Sequence, residues 1–277
     1  MVLRINDLVA GLKKNKIYRA AKKIYQDHYI KNQLASEGEG FICPACKKNW
    51  KRFRPFPSKW AAALKNSGWP YVLDDAETLN HKNYTCYGCG ITDRGRLYIL
   101  FFERLIRNEQ HYNVVEFAPI PALSTCLRNM PNVTYRTADL FMKGVDDKID
   151  LQDMYLYDNN SFDIFICSHI LEHVDDDLKA MKELFRILKP GGTGIAMVPI
   201  FESVTETRED PSIKDKNLRL KYFAQADHVR LYAKQDFIQR LESVGFRVKL
   251  YGQDYFGESL FEKSGITQKS VLYIVEK

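Results

Sequence analysis

Apolar positions change rhythm along this chain. Between residues 4 and 35, Leu8, Leu12, Ile17, Ala21, Ile24 and Tyr25 recur among lysines at helical spacing. That pattern predicts one or two amphipathic helices whose single apolar stripe can dock on the rest of the protein. The polar run SEGEG at 36–40 then breaks the helix. A further helix is expected from about Arg96 to Asn108. Beyond it, short apolar runs alternate with helical ones. The candidate strands are Val114–Ala118, Val133–Asp139, Lys148–Leu151, Phe162–Ser168, Gly194–Pro199, Phe246–Tyr251 and Val271–Glu276. The clearest helices between them are Pro121–Asn129, Asp176–Leu188 and Lys234–Val244. Such alternation predicts a mostly parallel, doubly wound α/β sheet. The expected organisation is a helical segment over 1–40, a small module over 41–95 and the α/β domain over 96–277.

Composition adds boundaries to this picture. The 277 residues suffice for one full α/β domain plus a small module. With 45% hydrophobic and 27% charged residues, the chain reads as an ordinary soluble protein. No apolar run approaches the ~20 residues of a membrane-spanning helix. The N-terminus lacks the uninterrupted apolar stretch of a signal peptide, so a cytoplasmic location is expected. Charge is uneven: residues 1–60 carry 14 Lys/Arg against 4 Asp/Glu, net +10, and the remainder sums to −4. A basic arm can grip a polyanion, or it can be the solvated face of a helix.

Two cysteine pairs supply the first candidate chemistry. Cys43-Pro-Ala-Cys46 and Cys86-Tyr-Gly-Cys89 are separated by 39 residues. Each CxxC sets two thiolates on one tight knuckle, and two knuckles make a tetrahedral four-sulfur site suited to zinc. Such a closed site leaves no position for substrate, so its expected role is structural. Cys126 and Cys167 lie outside the pairs and read as small core residues. Between the pairs, KKNWKRFRPFPSKW interleaves cations with aromatics. This composition suits either a nucleic acid or phosphorylated ligand, or a loop covering the mouth of an active site.

The most informative stretch is FDIFICSHILEHVDDDLKAMKELFRILKPGGTGIAMVPI, residues 162–200. It predicts a buried strand, a turn carrying Ser168 and His169, an amphipathic helix opened by acids, and a Pro-Gly-Gly stop feeding another strand. The wording resembles the class I S-adenosylmethionine-dependent methyltransferases, from their fourth strand to their fifth. A wider resemblance, over about residues 41–277, is to a bacterial subgroup with an N-terminal CxxC…CxxC module. Its marks here are EFAPIPAL at 116–123, TADL at 137–140 and DHVR at 227–230. The resemblance implies a seven-stranded Rossmann-like methyltransferase sheet with a small helical and zinc-binding module before it. It also implies S-adenosylmethionine as cofactor.

Residue by residue, the resemblance carries cofactor contacts to Glu116, Phe117, Ala118 and Pro119 after the first strand. Ala118 and Pro119 stand where the general family has a glycine-rich turn, so this is a variant cofactor loop. Asp139, beside Leu140, is expected to hold the ribose hydroxyls, and Asp150 the adenine amino group, with Leu151 flanking the ring. Ser168 and His169 would face the transferring methyl. The alternative for both acids is a turn or cap residue, but two acids at the two expected strand ends favour the cofactor role.

His169, Glu172 and His173 stand at i, i+3 and i+4, which gathers them on one face if the helix starts at the turn. Glu and His in that spacing can share a divalent metal. The segment is similar to the metal-binding ExxEH of small-RNA 3′-end methyltransferases, with His169 replacing the first Glu and His228 available as the distant member. Alternatively, Glu172 and His173 pin the helix by hydrogen bonds. Without a metal, His169 and then His228 are candidate general bases, since an imidazole can take the proton of a hydroxyl acceptor. The expected activity is methyl transfer to an oxygen of a sugar, a surface-glycan precursor or a related polar metabolite. An RNA acceptor gripped by the basic N-terminus, and an inactive cofactor-binding scaffold, are the competing readings.

Overall fold

The computed structural model describes residues 16–35, 39–106 and 109–277. Leu8 and Leu12 of the anticipated stripe therefore lie outside the described residues. Helix α1 (Lys16–Leu34) leads to a two-stranded ribbon, β1 (Phe41–Ile42) with β2 (Asn49–Trp50), and to α2 (Ser58–Asn66). Helix α3 (Asp93–Leu105) comes next, its N-cap Thr92 accepting from Gly95 N at 3.2 Å. Then follow β3 (Tyr112–Phe117), α4 (Pro121–Arg128), β4 (Val133–Ala138), β5 (Phe162–Ser168), α5 (Asp177–Ile187) and β6 (Leu188–Met197). The remaining elements are β7 (Arg208–Glu209), α6 (Lys216–Phe223), β8 (Arg230–Leu231), α7 (Lys234–Ser243), β9 (Arg247–Tyr251), α8 (Gln253–Phe256), α9 (Glu258–Lys263) and β10 (Leu272–Glu276).

Six strands form the main sheet, in the order β4-β3-β5-β6-β10-β9. The first four run parallel, and β10 runs antiparallel to both its neighbours. This is the Rossmann-like α/β sheet that the alternation predicts, with one strand fewer. The missing strand is Lys148–Leu151, where DDKIDL gathers acids that disfavour a strand. Side chains pin this segment instead. Asp146 accepts from Thr137 N (2.8 Å) and Thr137 Oγ1 (2.7 Å), and only the Ala138–Asp147 bridge remains. Ile149 and Leu151 still bury their side chains.

Burial explains why the strands hold. Val114, Val115, Ile164, Phe165, Ile195 and Val275 are all essentially inaccessible, as expected for a sheet covered on both faces. Gly194 on β6 pairs with Phe165, and a Cβ there would come within 2.2 Å of that ring. Helix α5 lays Ala180, Met181, Leu184 and Ile187 on the sheet, all fully buried. Truncating Leu184 to Ala would cost about 2–5 kcal/mol.

The N-terminal helix departs from expectation. Ile24 and Tyr25 are 69% and 72% exposed, so the stripe does not dock there. Further along α1, Leu34 packs on the core and Asp27 pairs with Arg54 at 3.1 Å. Arg96, buried on α3, ties together two segments far apart in the chain. Its guanidinium donates to Tyr84 O (3.0 Å) and Asn83 O (2.6 Å) on one side, and to Ser264 O (2.7 Å) and Gly265 O (3.0 Å) on the other. No described helix is long and apolar enough to cross a membrane.

Candidate active site

From β3 the chain winds one way to β4, and β5 lies on the other side of β3, so a crevice opens at the carboxyl ends of β3 and β5. Two non-glycine residues take left-handed conformations there: Ala118 (φ 49°) and His169 (φ 58°). Each costs on the order of 1 kcal/mol and is held by its amide, Ala118 N on Ala138 O (2.9 Å) and His169 N on Met197 O (2.8 Å). Ala118 thus adopts the backbone that a glycine would favour in this loop.

A cavity of about 600 Å³ occupies the crevice. Phe117, Ala118, Asp139, Leu140, Asp150, Leu151 and His169 line it, together with Gln152, Asp175 and Asp227. Glu116, Pro119 and Ser168 stand outside its lining. Glu116 is buried and faces its own loop, accepting from Ile120 N (2.8 Å), Ser124 Oγ (3.2 Å) and the Tyr135 hydroxyl. Burial pushes its pKa up to about 7 against those hydrogen bonds. Ser168 Oγ is engaged by the buried Tyr98 hydroxyl at 2.7 Å. Asp139 and Asp150 each use one oxygen for a turn, Asp139 Oδ1 accepting from Phe141 N (2.6 Å) and Asp150 Oδ1 from Gln152 N (2.8 Å). Their turn role and their place in the cavity wall coexist.

A second cavity, about 280 Å³, meets the first at His169 and His173. Phe56 and Trp60, from the cation-aromatic segment, form one wall with Tyr84. That segment therefore borders the crevice. Glu77, Asp93 and Arg94 add polar groups that carried no signal in the sequence. Glu77 accepts hydrogen bonds from Lys234 and from the Tyr273 hydroxyl at 2.7 Å. The buried Nε of Arg94 has no hydrogen-bond partner.

Between the cavities lie the histidines and Glu172. The helix begins at Asp177, close to its expected start, so the three do not share a helical face; His169–Asp175 is an irregular turn in which His173 N donates to Ile170 O (2.9 Å). Arg230 is the reason. Fully buried, it donates to Leu171 O (2.6 Å), Val174 O and Asp175 O (2.9 Å), taking carbonyls that a helix would need. The DHVR motif therefore shapes this turn and also brings in His228, whose neighbour Val229 N donates to Glu172 O (2.9 Å).

His169 Nδ1 lies 3.5 Å and His228 Nε2 3.9 Å from Glu172 Oε1, and the rings of His173 and His228 meet edge to face at 4.5 Å. Both Glu172 oxygens are buried without a hydrogen bond, so this carboxylate does not pin the turn as a hydrogen-bonding residue would. Burial dominates every titration here: it raises Glu172 to about 8, lowers His228 to about 3, and lowers His169 and His173. At neutral pH His169 is an uncharged imidazole able to accept a proton.

The four paired cysteines converge as their spacing predicts. All four sulfurs lie within 4.8 Å of one another, with Cys43–Cys89 at 3.7 Å and Cys46–Cys86 at 3.8 Å. A tetrahedron with zinc–sulfur bonds of about 2.3 Å has edges of about 3.8 Å, so the donor set fits that ion. Knuckle geometry accompanies it: Lys47 N donates to Cys43 O (2.8 Å) and Gly90 N to Cys86 O (3.1 Å). A Cβ on Gly88 would meet Trp50 at 2.9 Å and the Cys46 sulfur at 3.2 Å. Cys126 is half-buried beside this module, its sulfur 3.6 Å from Ala45 O, and Cys167 is buried in β5.

A family model described as a methyltransferase domain matches residues 122–196. The matched span runs from α4 to β6 and includes β5, and the fold is a Rossmann-like α/β methyltransferase fold with a six-stranded sheet. No functionally curated protein matches the sequence. Among solved structures, the [4+2]-cyclase SpnF is 14% identical, with 81% of this chain and 96% of that one covered at a TM-score of 0.45. A SAM-dependent methyltransferase from Archaeoglobus fulgidus is 14% identical, with 66% and 94% covered at 0.42. A Haemonchus contortus phosphoethanolamine N-methyltransferase is 16% identical, with 58% and 40% covered at 0.40. None of these distant likenesses carries an argument about what this chain does.

Proposed function

We propose that the protein transfers a methyl group from S-adenosylmethionine to an oxygen of a small polar acceptor. The observation that carries this reading is the pair of cavities meeting at His169. In it the larger cavity takes the cofactor, with Asp139 toward the ribose and Asp150 toward the adenine. The smaller takes the acceptor against Phe56, Trp60 and Tyr84, faces suited to the apolar side of a sugar ring. When bound, the cofactor supplies a methyl carbon on a sulfonium, open to in-line displacement. The chain's part is alignment and proton removal. His169, uncharged through burial, accepts the acceptor's hydroxyl proton as the oxygen–carbon bond forms and the carbon–sulfur bond breaks. The size of the second cavity, about 280 Å³, favours a sugar or glycan precursor over a nucleic-acid duplex.

In the same reading the four cysteines hold a structural zinc that fixes the module forming the acceptor wall. The location expected for such an enzyme is the cytoplasm. The test is calorimetric titration of the purified protein with S-adenosylmethionine, followed by a screen of sugar nucleotides and RNA for methyl uptake. Micromolar cofactor binding with methylation of a small acceptor is expected. Absence of cofactor binding would return the chain to the scaffold reading, and salt-sensitive uptake by RNA alone would replace the acceptor class.

A further inference from the structure

We infer that Glu172, His173 and His228 form a second metal centre, for a first-row divalent cation, in the wall between the two cavities. One ligand atom from each residue lies within 4.8 Å of the others. The set spans distant parts of the chain: Glu172 and His173 come from the turn after β5, and His228 from the segment before β8.

Three features set this cluster apart from a chance gathering. First, Glu172 is 1% exposed and neither of its oxygens finds a donor. A fully buried carboxylate without a partner is expensive, and a cation between it and two imidazoles removes that cost. Second, His228 is oriented as a ligand is. Its Nδ1 is fixed by Phe223 O at 2.8 Å, which leaves Nε2 unprotonated on the side of Glu172. Such an outer partner, a backbone carbonyl, characteristically sets the tautomer of a metal-bound imidazole. The His173 ring stands edge to face against His228, with ring centres 4.5 Å apart. Third, the 3.9 Å separation between His228 Nε2 and Glu172 Oε1 is too long for a hydrogen bond. The groups are close without bonding one another, which is the spacing of donors around an ion.

Two nitrogens and one carboxylate are a mixed donor set, suited to manganese, iron, cobalt, nickel or zinc more than to magnesium. Three protein ligands leave coordination positions open. Because Glu172, His173 and His228 all line the smaller cavity, those positions are available to the acceptor. This consequence rests on the proposed function: the acceptor would place an oxygen, or two vicinal oxygens, on the ion, which lowers the proton affinity of the one to be methylated. The metal site itself does not depend on that reading.

The experiment uses full-length protein whose cysteine site has been filled with zinc, titrated with Mn²⁺ and followed by electron paramagnetic resonance. Co²⁺ serves as a second probe through its visible absorption. One equivalent beyond the zinc is expected. Glu172→Gln, which keeps side-chain shape, and His228→Ala should weaken it about 100-fold or more, while the zinc content stays unchanged. Circular dichroism, together with cofactor titration where the wild type binds cofactor, checks that each variant is folded. Failure of both ions to bind stoichiometrically to wild type, or undiminished binding in folded Glu172→Gln, would overturn the proposal. Cofactor binding without metal binding would remove the metal centre and leave the methyltransferase reading standing. The reverse pattern would do the opposite.

Discussion

The protein carries two clusters of potential metal ligands, and they are built in opposite ways. Cys43, Cys46, Cys86 and Cys89 sit on two short knuckles whose turns are local, so a few residues of chain set each pair of sulfurs. Glu172, His173 and His228 meet only because Arg230 bends the segment after β5 and anchors it to the approach to β8. The first set is closed by four like ligands. The second is three-sided and borders two cavities. A closed soft site stabilises, whereas an open mixed site beside a cavity can act on what enters it. Removing a ligand should therefore have opposite consequences in the two places.

The largest effect is expected at the cysteines. Structural zinc contributes about 10–16 kcal/mol of apparent binding energy in small zinc modules. Cys43→Ser or Cys89→Ser should lose zinc and unfold the module, and metal analysis with a thermal melt checks this. Zinc-free protein with unchanged stability would erase the contrast between the clusters. Glu172→Gln, by comparison, should leave the melting temperature unchanged or raise it in protein without the second cation, because it removes a buried carboxylate that has no donor.

Next in size is His169→Ala, expected to lower methylation by about 10²–10⁴-fold while cofactor affinity, read by calorimetry, stays near wild type. Full activity in that variant would leave alignment in the crevice as the whole of catalysis.

The loop that Glu116 holds provides a smaller, pH-dependent effect. Its folded pKa, about 7, exceeds the ordinary value of 4.5. Between those values the folded state binds more protons than the unfolded one, so this group's contribution is fully present below pH 4.5 and lost as pH rises through 7. The decline should amount to no more than about 3 kcal/mol. Glu116→Gln should flatten it in denaturant melts taken between pH 5 and pH 8; an equal slope in both proteins would contradict the assignment.

Asp139→Ala comes last. It should cost about 1.5–3 kcal/mol of cofactor binding, about tenfold or more in affinity. Wild-type affinity by calorimetry in both Asp139→Ala and Asp150→Ala would mean that these acids serve only their turns.

Much of this was legible in one dimension. Strands β3 to β6 and helices α4, α5 and α7 fall within a few residues of their expected limits, apart from the earlier start of β6 at Leu188. Sheet alternation and helical stripes are local signals. The strand expected at Lys148–Leu151 failed because Asp146 and Asp147 bind Thr137 and Arg136 of the neighbouring strand through side chains, an option no periodicity reveals. Likewise Glu116 looked like a cofactor ligand by position, but its side chain turns inward to Tyr135 and Ser124. Arg94 and Glu77 reached the smaller cavity without any motif to mark them.

By itself, then, the sequence determined most of the elements and the cysteine knuckles, because each depends on residues a few positions apart. Only the tertiary structure decided that the cation-aromatic segment walls a second cavity and that three ligands converge unpartnered beside it. Those outcomes depend on which loops a buried arginine draws together. In the sequence Arg230 is only the last residue of the DHVR mark, yet it is fully buried and directs its donors to the carbonyls of a turn more than fifty residues away.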